Sequence, residues 1–196
     1  MKYAKDFIEY FSPFPVFTAR DARLFFMKRK AGAGYYRLFM HNMVKRGRVL
    51  PIVRGSYTLN DDPFVAGFAF SPFYYGLETV LAHYKLWDYP TPITIVTTNR
   101  VRKSGIVLLG RNAGLKKIQK RYFFRYSMIP YGDNFYIPMA DMEKTIIDSV
   151  YFNSPFSEAV YAAMAERVDK SKLLHYLNRY SGAIKRRVLN VCPSIL

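Results

Sequence analysis

Over the first sixty positions, apolar residues recur three times at helical spacing and then change to a two-residue alternation. In "KYAKDFIEYF" the side chains of Tyr3, Phe7, Ile8 and Phe11 fall on one face, which predicts a helix over 2–11. "SPFPVF" ends it, since two prolines cannot continue the hydrogen-bond ladder. "TARDARLFFMKRK" restarts the period with Thr18 as N-cap and Asp21 in a capping box, burying Ala22, Phe25 and Phe26. "AGAG" at 31–34 is a tight turn. A third helix is expected over 35–46, closed by Gly47 as a C′ glycine. Its spacing turns Tyr35, Leu38, Phe39, Asn42 and Met43 inward and Tyr36, Arg37, Met40, His41 and Lys45 outward. "RVLPIVRGSYTL" then reads as two short strands, 49–53 and 56–59, joined at Arg54-Gly55, with Pro51 confining the first to a sheet edge.

Beyond "NDDPF", which reads as a linker, the pattern is mixed. A helix is expected over 73–86 ("FYYGLETVLAHYKL") and a strand over 91–98. A basic loop with a short strand at 105–109 follows, then strands near 120–129 and in "DNFYIPM", and a helix in "ADMEKTIIDSVYF". Residues 157–191 read as two or three more helices. The fold class expected is α+β: an N-terminal winged helix-turn-helix over 1–60, then a mixed α+β domain over 65–196 with a helical tail.

Charge sharpens this picture. The chain of 196 residues has a net charge of +16, and the first sixty residues hold twelve Lys/Arg against Asp6, Glu9 and Asp21. A polyanion is the natural partner. In a helix-turn-helix the second helix enters the DNA major groove and its N-terminal outward residues reach base edges. Here those are Ala33, Gly34, Tyr36, Arg37, Met40 and His41, with Lys45 further along. Arg37 is the candidate for bidentate guanine readout. Arg48 and Arg54 on the hairpin are candidates for phosphate contacts. Double-stranded DNA is therefore the expected partner, with a homodimer on a palindromic site as an accompanying possibility.

Other chemistry has weaker support. Glu143, Lys144 and Asp148, with Asp141 and Asp133 nearby, suggest a metal-dependent nuclease, the alternative function. The same residues also read as an i,i+4 ion pair, with Asp141 as a helix-start acid. His41, His83 and His175 lack metal-ligand spacing with one another or with Cys192, so no metal is expected. No phosphate-binding or dinucleotide glycine motif occurs, so no cofactor is expected and the chain reads as a non-enzyme. "RYFFRY" interleaves basic and aromatic residues in a way that suits base stacking. The single cysteine, the absence of a secretory leader pattern in "MKYAKDFIEYF", and the lack of about 18 consecutive apolar residues lead to an expectation of a cytoplasmic, non-membrane protein.

The order of "RGSYTL", "SPFYYGLETVLAHYKL", "TIVTT" and "IPMADMEKTIIDSVYF" resembles AbiEi-type antitoxins and transcriptional regulators of type IV toxin–antitoxin, abortive-infection systems. The match to the family's second domain falls on Tyr75 to Leu81 and on Ala140, Glu143, Lys144 and Asp148. "AIKRRVL" is similar to a further family segment. The family's serine-rich helix is represented here by Gly76 and Thr79, a departure. The resemblance spans residues 15 to 190. It implies a repressor that binds its own promoter and an antitoxin domain. That domain would counteract a cognate nucleotidyltransferase-like toxin, without necessarily forming a stable complex.

Overall fold

The computed structural model describes residues 2–32, 34–132 and 135–193. It is a mixed α+β fold that divides into two compact units, residues 1–71 with 107–111, and residues 72–106 with 112–196. No helix among the described residues is long and apolar enough to cross a membrane.

The first unit contains α1 (Ala4–Phe11), β1 (Phe17–Thr18), α2 (Ala19–Lys28), α3 (Tyr35–Lys45), β2 (Leu50–Val53) and β3 (Ser56–Thr58), then a 3-10 helix, Pro63–Phe70. Three strands form an antiparallel sheet in the order β1-β3-β2, so Pro51 does lie on an edge strand. A bulge falls between Pro51 and Val53, where the missing N–H interrupts the ladder. Gly55 takes φ 82° in the turn, a conformation that suits glycine. "NDDPF" is not a linker: Asp62 caps the 3-10 helix by accepting from the Phe64 N–H at 2.8 Å, and the compact unit runs on to Ser71.

Aromatic rings fill this core. Phe7 is fully buried and meets Phe11, Phe17, Phe25, Phe26 and Phe39 with centroids 4.6 to 5.9 Å apart. One ring thus ties α1, β1, α2 and α3 together. Each such pair adds about 0.5–1.5 kcal/mol beyond area burial. The capping box at α2 is present: Thr18 Oγ1 accepts from the Asp21 N–H at 3.2 Å, and Asp21 Oδ2 accepts from the Thr18 N–H at 2.8 Å.

The second unit is built on a six-stranded sheet in the order β6-β7-β5-β4-β9-β8, apart from residues 107–111 at the tip of β6 and β7, which group with the first unit: β4 (Phe73–Tyr75), β5 (Ile93–Thr97), β6 (Gly105–Leu108), β7 (Arg111–Lys117), β8 (Tyr126–Tyr131) and β9 (Phe135–Ala140). Pairing is parallel for β4 with β9 and β5 with β7, and antiparallel for β4 with β5 and β8 with β9. Helices α4 (Glu78–His83), α5 (Met142–Tyr151), α6 (Glu158–Ala165), α7 (Lys170–Leu177) and α8 (Gly182–Val191) complete it.

Three segments differ from the sequence reading. The helix expected over 73–86 begins only at Glu78, because Phe73–Tyr75 is a buried central strand. Three consecutive aromatics pack well in a sheet covered on both faces, and this outweighs the helical period. Gly76 follows in a tight spot: a Cβ would stand 3.1 Å from Val96 Cγ2, so the valine would have to give by a few tenths of an ångström. The short strand expected at 105–109 is β6, but the end of the basic loop, 111–114, belongs to strand β7, and the strand expected over 120–129 begins only at Tyr126, after a 3-10 turn at Lys120–Tyr122.

Phe7→Ala is expected to cost about 3–5 kcal/mol and Thr18→Ala about 1 kcal/mol, read as shifts of the urea midpoint. A loss for Phe7→Ala no larger than for Thr18→Ala would show that the ring cluster does not hold the first unit together.

Candidate nucleic-acid interface

The expected DNA-contacting residues all come from the first unit. α3 buries Phe39, Met40 and Met43 and half-buries Tyr35, Tyr36 and Val44. Its exposed side carries Gly34, Arg37, Leu38, His41 and Lys45, spaced three and four apart as one stripe. Two assignments change. Met40, expected outward, is 6% exposed in the core, whereas Leu38, expected inward, is 61% exposed. Both faces satisfy a helical period. Packing selects the register in which Met40 joins Phe39 and Met43. Tyr36 is half-buried and holds Arg37 instead of pointing freely outward: Arg37 Nε donates to Tyr36 Oη at 3.4 Å, and the guanidinium lies 5.9 Å from the ring centroid. That bond favours the charged form and raises the Arg37 pKa. Ala33 lies outside the described residues.

Backbone hydrogen bonds tie the hairpin to the helices. The Arg48 and Val49 N–H groups donate to the Met43 carbonyl at 3.0 and 3.3 Å, and the Ala19 N–H donates to the Gly55 carbonyl at 2.9 Å. Arg48 and Arg54 are exposed, the first just before β2 and the second in the turn. Leu38 is the residue of this face that sequence reasoning missed. Its apolar side chain hid it, and only the true register of α3 exposes it.

In the second unit, Glu143, Lys144 and Asp148 are all buried, within a helix that has no exposed face from Met142 to Val150. Lys144 Nζ bonds Asp148 Oδ1 and donates to Tyr74 Oη at 3.1 Å, and Tyr74 donates to Asp148 Oδ2 at 2.7 Å. Burial pushes the Asp148 carboxyl up and the Lys144 ammonium down, and each shift is opposed by the other's charge. Burial and then Asp148 push the Tyr74 phenol well up, so Tyr74 stays a donor.

A second network adjoins it in the same helix. Asp141 caps α5 through the Lys144 N–H at 2.8 Å and accepts from Tyr176 Oη at 2.8 Å; Lys172 Nζ lies 3.1 Å from it. Glu143 accepts from Lys172 Nζ at 2.8 Å and from the Asp169 N–H at 3.0 Å. Burial lowers the Lys172 pKa, but bonds to Glu143 and Asp141 outweigh it and raise the value overall. Burial, then the bond to Asp141, pushes the Tyr176 phenol up to about 12. The i,i+4 pair was legible in sequence. Tyr74, Lys172 and Tyr176 were not, because nothing local links them to α5. Asp133, weighed as an added carboxylate, lies outside the described residues. Among the described residues no group of three His, Cys, Asp or Glu is placed to hold a metal ion.

No protein-family model matches the chain, and no curated protein matches it.

Removing one member of the buried pair leaves the other charge stranded. Lys144→Met is expected to cost about 3–5 kcal/mol, and Lys144→Met with Asp148→Leu to recover most of it, measured by urea unfolding. A double variant no better than the single would show that the pair fixes the packing itself. The Tyr176 phenol keeps its proton to about 12 in the folded chain but gives it up near 10.0 when unfolded. Between these values the native state binds the extra proton, so stability falls as pH rises through that window. Tyr176→Phe is expected to flatten the fall in alkaline melts; an unchanged slope would remove Tyr176 as its source.

Proposed function

We propose that the chain is a sequence-specific DNA-binding repressor whose first unit is a winged helix-turn-helix. The observation that carries this reading is the exposed stripe Gly34, Arg37, Leu38, His41 and Lys45 on a helix whose opposite face is locked into the core. A helix of this kind can enter the major groove without disturbing its own packing. The order α1-β1-α2-α3-β2-β3, with a three-stranded sheet and an exposed Arg54 in the hairpin turn, supports it. So does the concentration of positive charge in the first sixty residues. In this reading Arg37 reads a base edge, and Arg48 and Arg54 meet phosphates and set the register. Tyr36 acts through Arg37 as a positioning residue.

The motif order described above adds the second half of the reading: autoregulation of the protein's own promoter, and an antitoxin domain acting against a cognate nucleotidyltransferase-like toxin. In it Glu143, Lys144 and Asp148 are architectural, since their charges are spent on Lys172, Tyr74 and each other. The same geometry weighs against the metal-dependent nuclease alternative, which requires those carboxylates to face an ion and a water.

A footprint on the DNA upstream of the reading frame, taken across salt and with competitor, is the test. A discrete protected site is expected. Arg37→Ala is expected to weaken it by about 1–3 kcal/mol and relax one base position. Arg54→Ala is expected to weaken all sequences alike and lower the salt slope by about one. Met40→Ala is expected to lower stability while leaving base preference intact. Binding indifferent to both arginine substitutions would refute the groove geometry.

A further inference from the structure

The second unit carries a basic surface of another kind, defined by how its arginines are held. The Arg121 guanidinium lies 4.6 Å from the Tyr122 ring centroid, Arg179 lies 4.5 Å from Phe124, and Arg125 lies 5.2 Å from Tyr176. The rings beneath are continuous. Tyr122 stacks on Tyr180 at 4.3 Å and 7°, and Phe124 lies 5.6 Å from Tyr176 and 6.2 Å from Tyr180. The segment joining β7 to β8, together with α7 and the turn after it, thus presents three exposed guanidiniums on one aromatic base.

The carboxylates nearby are engaged underneath, Asp148 with Lys144 and both Asp141 and Glu143 with Lys172. None of the three arginines has a carboxylate partner among the described residues; Arg121 Nε instead donates to Gln119 Oε1 at 2.9 Å. A guanidinium with one face on a ring keeps its N–H edges free for phosphate.

Next to Arg125 the chain enters β8, where two exposed tyrosines and a methionine take over. Tyr126 and Met128 lie two residues apart on one face, and Tyr136 of β9 shares that face through its pairing with Pro130. They are 39%, 53% and 57% exposed, and Tyr126 is braced from behind by the Tyr74 ring at 5.8 Å and 15°. Unpaired nucleotides match this combination: their phosphates suit the arginine edges and their open base faces suit the rings. A duplex offers the phosphates but hides its base faces. An acidic peptide would leave the rings idle.

We propose that this arginine–aromatic surface of the second unit binds single-stranded nucleic acid. It is independent of the duplex-reading face of the first unit.

The test is fluorescence anisotropy with the full-length chain and labelled oligo(dT), oligo(U) and random duplex of about fifteen nucleotides, near physiological salt. Both single strands are expected to bind more tightly than the duplex, and a preference between them would assign the surface to DNA or RNA. Arg125→Lys with Arg179→Lys keeps the charge and removes the stacked planes; a loss of about tenfold is expected. Tyr136→Ala, at an exposed site that does not threaten folding, is expected to lose about fivefold or more. Arg37→Ala is expected to leave single-strand binding unchanged, so failure here and failure of the duplex reading are separable. Lysine variants that bind like the parent, a duplex that competes as well as the single strands, or no binding to either strand would overturn the proposal.

Discussion

Lys144 and Asp148 stand one turn apart on a helix with no wet face, and neither charge can be left alone there. Each lowers the cost of the other, and Tyr74 supplies the remaining hydrogen bond from the middle of the sheet. Through Tyr74 the pair ties α5 to β4 by directional hydrogen bonds in addition to the apolar contacts around them. The neighbouring acids extend the constraint outward. Asp141 and Glu143 hold Lys172, Tyr176 and the start of α7, so the helical tail is keyed to the same few atoms.

The first unit solves its packing problem differently. It has little length with which to build a core, and it uses rings of large area per residue. Phe7 at the centre makes the helices mutually dependent, and the capping box at Thr18 sets where α2 starts. Because Thr18 also pairs with Ser56 in the sheet, one residue marks both the start of α2 and the pairing of β1 with β3.

Local chemistry made much of this readable. The capping box, the Gly47 stop, the Arg54-Gly55 turn and the Lys144–Asp148 spacing all depend on residues within a few positions of one another. What escaped was decided across distance. Phe73–Tyr75 has the composition of either element until β5 and β9 flank it. On α3 the periodicity allowed two neighbouring registers, and only the Phe39 and Met43 contacts choose between Leu38 and Met40 as the buried residue. The partners Tyr74, Lys172 and Tyr176 leave no trace near α5 in sequence. Arg121 and Arg125 were visible in "RYFFRY", but Arg179 was not, and the engagement of the nearby carboxylates by Lys144 and Lys172 is set by the fold.

The division of α3 into two faces has a consequence for how such a chain can diverge. The side chains that hold the helix in place, Phe39, Met40 and Met43, are not those it shows to the outside. Substitutions at Arg37, Leu38 or His41 leave the packing untouched, since surface changes away from core and caps usually stay within about 0.5 kcal/mol. The outer stripe is thus free to drift or be selected while the scaffold is conserved. Descendants of one ancestor can share this fold closely and present outer stripes with nothing in common.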